Sequence, residues 1–278
     1  MKSILMCLHA PFAENVHPPA CSAYGISLAS KLGAHLSVVM AAPKLQQSVF
    51  LPVPVVTGLL ADNDRVRAAN AATMSEALGR SAVASGITMS TETLQSPFPS
   101  LQRRLLNRAH IHELVLVGRP GADDYVMPGL IESLIFESGR PVMLVDSDHA
   151  RPAAFERIVV AWDGSARAGR AVWDALPLLK QAQKVEIVSI KDEKDLSKSV
   201  PGAELAPALA RHGIDVTVTD LMCKGDTVAN TIKAHVGLVR ADLLVMGAFG
   251  HNRWRELILG GVTEDLLRAA NIPVLMSR

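Results

Sequence analysis

Apolar residues in this chain gather in short runs separated by stretches of helical spacing, and the pattern is clearest in the second half. Ile158 to Trp162 (IVVAW) is a compact apolar run that ends at Asp163-Gly164-Ser165, the signature of a buried strand entering a turn. Ala166 to Leu179 then repeats apolar residues at helical intervals, with Ala168, Val172, Leu176 and Leu179 on one side. Val185 to Ile190, Ile214 to Leu221, Leu243 to Met246 and Pro273 to Met276 read as further strands. Leu205 to His212, Thr227 to Val239 and Val262 to Ala270 read as helices between them, the first stopping at Gly213 and the second capped by Asp226. Strands alternating with helices of this length imply right-handed crossovers and a parallel sheet.

The first half repeats the order. Strands are expected at Ile4 to Leu8, His35 to Met40, Ile87 to Leu94, Leu114 to Val117 and Pro141 to Val145. Helices are expected at Ala20 to Leu32, Asp62 to Ser85, Leu101 to Ala109 and Leu130 to Ser138, and Gly118 is read as opening a loop. The proline-rich stretch Leu51 to Val56 (LPVPVV) reads as a loop or lid. ELVLVGRPG set beside DLLVMGAFG, and SGRPVMLV beside AANIPVLM, mark an internal duplication. The expected fold is α/β: two tandem Rossmann-like domains, each a five-stranded parallel-type sheet with flanking helices. They span residues 1–148 and 155–278, joined near the polar connector Asp146 to Phe155.

Composition narrows the function. Of 278 residues, 49% are hydrophobic but only 4% aromatic, so the cores are built of aliphatic residues, as suits helix-covered parallel sheets. A net charge of +1 gives no reason to expect nucleic acid or an anionic membrane as partner. Cys7, Cys21 and Cys223 form no disulfide framework or metal spacing and read as free thiols of a reducing cytoplasm. No stretch approaches the ~18 apolar residues of a membrane span.

Chemistry concentrates in Val245 to Thr263, VMGAFGHNRWRELILGGVT. Gly247 and Gly250 follow a strand, and after nine residues Gly260-Gly261-Val262-Thr263 opens a helix. Glycines allow backbone to approach a ligand, and a helix start presents amide donors to phosphate. Ligands of parallel sheets lie outside the carboxyl ends of the strands, where Asp163 and Ile190 are also expected. Two adjacent tight turns would explain the glycines equally simply.

This pattern, G-x2-G-x9-G followed by a small residue and V-T, then a helix and a closing PVL strand, resembles the universal stress protein family, and the resemblance covers both halves. It implies an adenine nucleotide, ATP with or without Mg²⁺. Asp163 would meet adenine or ribose, and Ile190 would offer backbone groups to adenine. Met246, Gly247 and Gly250 would line the ribose and first phosphates, and Gly260, Gly261, Val262 and Thr263 would cradle the outer phosphates. Gly261 departs from the Ser or Thr usual in the family's ATP binders. The lost hydroxyl contact, on the order of 0.5–1.5 kcal/mol, weakens binding by roughly tenfold. The first half departs further: Pro120 removes a donor from Gly118-Arg119-Pro120-Gly121, and Leu8-His9-Ala10-Pro11 has no Asp, so a weak or absent site is expected there.

No general base is poised beside a nucleophile in the sequence, so slow ATP hydrolysis is the most to expect. His251 in the glycine-bearing loop is a phosphate contact or a solvated histidine, Arg253, Trp254 and Arg255 form a phosphate contact, a partner surface or a plain surface loop, and Asp123-Asp124 reads as a solvated loop. The resemblance implies antiparallel pairing of the closing strands, here within one chain as a pseudo-dimer, with or without a homodimer on top of it. The rival reading is a nucleotide-free scaffold or chaperone-like interaction protein of the same fold.

Overall fold

The computed structural model describes residues 1–13, 16–44, 53–119, 127–190, 201–223, 227–248 and 272–278, with the backbone alone for 53–59. The chain divides into two compact units: residues 1–138 with 150–152, and residues 139–149 with 153–278.

The first unit contains β1 (Ser3–His9), α1 (Cys21–Leu32), β2 (His35–Lys44), α2 (Val53–Ala84), β3 (Met89–Pro97), α3 (Phe98–His110), β4 (Leu114–Arg119) and α4 (Met127–Glu137). Its strands run parallel in the order β3-β2-β1-β4. Ile4, Leu5, Met6 and Cys7 of β1 are fully buried, which requires cover on both faces of the sheet and explains the unbroken apolar run. Helix α2 turns Ala71, Met74, Leu78 and Ala82 inward at helical intervals. It begins at Val53, so Val53 to Val56, expected to be loop, form its first turn. Pro54 is tolerated there because the first amides of a helix have no intrahelical acceptor. Leu51 and Pro52 lie outside the described residues. Gly118, expected to open a loop, is part of β4.

The second unit contains β5 (Val142–Asp146), β6 (Arg157–Ala161), α5 (Ala166–Leu179), β7 (Lys184–Ile190), α6 (Gly202–Ala210), β8 (Val216–Leu221), α7 (Val228–Leu238), β9 (Leu243–Gly247) and β10 (Val274–Ser277). The order is β5-β10-β9-β6-β7-β8, parallel except where β10 meets β5 antiparallel, with Leu275 opposite Met143. The last strand of the first repeat therefore belongs to the second unit, held by its ladder with β10 rather than by the chain order. The helix expected at Val262 to Ala270 lies outside the described residues. Helix α7 is capped by Thr227, whose side chain accepts from the Asn230 amide at 3.1 Å, and not by Asp226 as the sequence suggested. Asp226 lies outside the described residues.

The duplication extends to single hydrogen bonds. Ile4 lies beside Leu114 in the first unit, as Ile158 lies beside Leu243 in the second. One residue earlier on each strand pair, the Glu113 carboxylate accepts from the Ser3 amide at 2.9 Å, and Asp242 accepts from the Arg157 amide at 2.9 Å. Each carboxylate satisfies the amide at the entry of a central strand.

Candidate functional site at the carboxyl edge of the second sheet

Strand register fixes which residues meet at the site. Ala161 of β6 lies beside Val188 of β7 and Met246 of β9. Two residues further along, Asp163 is level with Ile190 on one side and Ala248 on the other. Adjacent strands are about 4.8 Å apart, so the ends of β7, β6 and β9 span roughly two such spacings. Asp163, Ile190, Met246 and Gly247 thus come together at one sheet edge. Gly250, Gly260, Gly261, Val262 and Thr263 lie outside the described residues, as do His251, Arg253, Trp254 and Arg255.

The turn after β6 is built by its own side chains. Gly164 has φ +72°, a conformation that glycine adopts without strain. Asp163 Oδ1 accepts from the Ser165 amide at 3.0 Å, and Ser165 Oγ accepts from the Ala168 amide at 3.2 Å, capping α5. The Asp163 carboxylate is thereby held at the strand end by the sequence D-G-S itself and is half-buried.

Gly247 also has a packing role that its sequence context does not announce. A Cβ at this position would stand 2.6 Å from the Ala168 amide nitrogen, 2.8 Å from the Arg167 carbonyl carbon and 3.0 Å from Arg167 Cβ. The close approach is to the first turn of α5, and the neighbouring atoms are backbone. Glycine at 247 lets β9 and α5 touch. Its φ is not positive. Ala248, buried, then donates its amide to the Ser277 carbonyl at 2.7 Å, joining the end of β9 to β10.

The matching edge of the first unit is covered. By the same register, with Cys7 beside Val39 and Val117, His9 occupies the place of Asp163 and Arg119 that of Ala248. Arg67 of α2 reaches over this place, its Nη1 donating to His9 Nε2 at 2.9 Å and to the Ala10 carbonyl at 2.9 Å. Asn70 donates to the Pro11 carbonyl at 2.9 Å and the Ala13 carbonyl at 3.0 Å. No local spacing announces Arg67, because it lies 58 residues from His9. The GxxG of this half continues into residues 120–126, outside the described residues, as are Asp123 and Asp124.

A groove of about 590 Å³ lies elsewhere in the first unit, between α1 and α2, lined mostly by small residues such as Ala20, Ala23, Ser27 and Ser81. Among the described residues no three of His, Cys, Asp and Glu come together as metal ligands. No described helix is long and apolar enough to cross a membrane.

The family model described as "Universal stress protein family" matches residues 154–278, the stretch that carries this edge. Residues 154–278 form a universal stress protein domain. A curated universal stress protein of Synechocystis is 54% identical over 37 residues, a match that spans 13% of each chain. Solved structures extend the likeness of fold to the whole length. A universal stress protein from Archaeoglobus fulgidus covers 99% of this chain and 96% of its own at TM-score 0.68 and 17% identity. A crystal structure titled as a universal stress protein from Pseudomonas aeruginosa covers 99% and 92% at TM-score 0.54 and 14% identity. Both halves therefore carry the Rossmann-like α/β fold of that family in tandem.

Proposed function

We propose that this chain is a cytoplasmic stress-response protein that binds one adenine nucleotide, ATP with or without Mg²⁺, through the repeat spanning 155–278, while the repeat spanning 1–148 binds none. The observation that carries the reading is the convergence of Asp163, Ile190, Met246 and Gly247 on one edge, with the carboxylate held in place by its own turn. Asp163 would accept from adenine or ribose, Ile190 would present backbone groups to the base, and Met246 would pack against the sugar. Gly250 and Gly260 to Thr263 would supply amides and the Thr263 hydroxyl to the phosphates. The described residues suit the base and sugar half of such a ligand, and they offer no acid–base pair at this edge.

One observation favours the scaffold reading for the first repeat alone. The place equivalent to Asp163 is taken by His9 under the Arg67 guanidinium, so a base would have to displace two hydrogen bonds. Isothermal titration with ATP tests both statements together. A saturable isotherm that vanishes in Asp163→Ala is expected; absence of heat, or an isotherm indifferent to Asp163, would leave only a duplicated scaffold.

A further inference from the structure

The contact that covers the first sheet's carboxyl edge exists in only one protonation state of His9. Arg67 Nη1 stands 2.9 Å from His9 Nε2 and 2.9 Å from the Ala10 carbonyl oxygen. Its Nε donates to Asn63 Oδ1 at 2.9 Å, one turn earlier on α2, which aims the guanidinium at the strand end. A guanidinium has donors and no acceptor. His9 Nε2 is therefore the acceptor, and a histidine that accepts at Nε2 is neutral with its proton on Nδ1. A second proton on the ring would set an N–H against an N–H and a cation against a cation, and the Arg67–His9 bond cannot survive it.

The surroundings sharpen this dependence. Level with His9, β2 contributes Ala41, and β4 contributes Arg119, which is 8% exposed. Along the same end of α2, the carboxylates of Asp62 and Asp64 are paired with Arg65 at 3.4 Å and Lys44 at 4.0 Å. The first turns of α1, α3 and α4 hold no acidic residue. Nearly one turn after Arg67, Asn70 ties α2 to the Pro11 and Ala13 carbonyls through an amide that does not titrate. Loss of the Arg67–His9 bond therefore frees α2 on the Arg67 side of Asn70 and leaves the rest of the helix anchored. The second repeat has no counterpart, because Asp163 takes the place of His9 and is bonded within its own turn.

We infer that His9 and Arg67 form a proton-sensitive latch. Neutral His9 holds Arg67 over the strand end and keeps the first sheet's edge covered; protonated His9 releases Arg67 and uncovers it. Nothing in the latch depends on a nucleotide in the second repeat.

Two measurements on the full-length chain test it. Long-range ¹H–¹⁵N NMR of the wild type at about pH 8 should find neutral His9 with its proton on Nδ1. Backbone hydrogen exchange is then compared at about pH 8 and about pH 5, the range in which histidines as a class change charge, with the intrinsic pH dependence removed. Exchange in residues 60–67 of α2 should rise roughly tenfold in acid, while the turns that bury Met74 and Leu78 stay protected. His9→Gln keeps an acceptor for Arg67 that takes up no proton, and it should abolish the rise. A proton on Nε2 of neutral wild-type His9, exchange that does not rise in acid, or an equal rise in His9→Gln would overturn the latch.

Discussion

Replacing Gly247 by alanine places one methyl group against the backbone of α5. The nearest atoms are the Ala168 nitrogen at 2.6 Å, the Arg167 carbonyl carbon at 2.8 Å and Arg167 Cβ at 3.0 Å. Carbon atoms in contact prefer about 3.5–4.0 Å, so the strand end or the helix start must move by roughly an ångström. A flexible side chain could swing away, but a capped helical turn cannot. Ala168 is fully used by the Ser165 cap, and its neighbour Ala171 is buried. Overpacking of this kind costs about 1–3 kcal/mol. For a domain of this size that lowers the melting temperature by roughly 3–15 °C. The control lies in the same helix: a Cβ on Gly169 meets nothing within 4 Å. Gly169→Ala should therefore raise stability by about 0.5–1 kcal/mol through helix propensity. The two variants, melted side by side by circular dichroism, are expected to move in opposite directions. A Gly247→Ala protein that melts at or above wild type would refute the tight β9–α5 contact. The same reasoning makes Gly247→Val a poor probe of ligand binding, because it disturbs the fold before it reaches any ligand.

Three further outcomes follow from other parts of the molecule. Hydrogen bonds from the Lys2 amide, then from Ser3, hold the Glu113 carboxyl below its usual range. A depressed folded value means that its stabilising contribution is present above the unfolded pKa near 4.3 and is lost as pH falls through the folded value. Urea midpoints should decline more steeply below about pH 4.5 in wild type than in Glu113→Gln, and parallel curves would contradict this. Thr227→Ala should cost about 0.5–2 kcal/mol by chemical denaturation while Asp226→Ala stays near wild type, and the reverse order would return the α7 cap to Asp226. Gly261→Ser should tighten ATP binding by roughly tenfold in calorimetry, and an unchanged affinity would remove Gly261 from the phosphate contacts.

Much of the architecture was legible because each signal was local. Helix α5 runs from Ala166 to Leu179 as its spacing indicates, since D-G-S fixes its start and an apolar stripe carries it forward. Asp163 was legible for the same reason. Misreadings arose where a residue type has two uses. Pro54 looks like a breaker, yet proline also suits a helix start, and it lies in the first turn of α2. Asp226 and Thr227 are both good caps, and side-chain geometry chose the second. The packing of Gly247 against α5, about 80 residues away, was not legible because it leaves no trace in the adjacent sequence. Arg67 over His9 and Arg167 beside Gly247 were invisible on the same ground: strand register and helix packing bring them to the edges, and no spacing records either.

The number of ATP molecules bound per chain bears most directly on the whole account. Calorimetry on the full-length protein should give a stoichiometry of one, abolished by Asp163→Ala and preserved in Arg67→Ala. A stoichiometry of two, or of zero, or a single site that survives loss of the Asp163 carboxylate, would contradict it.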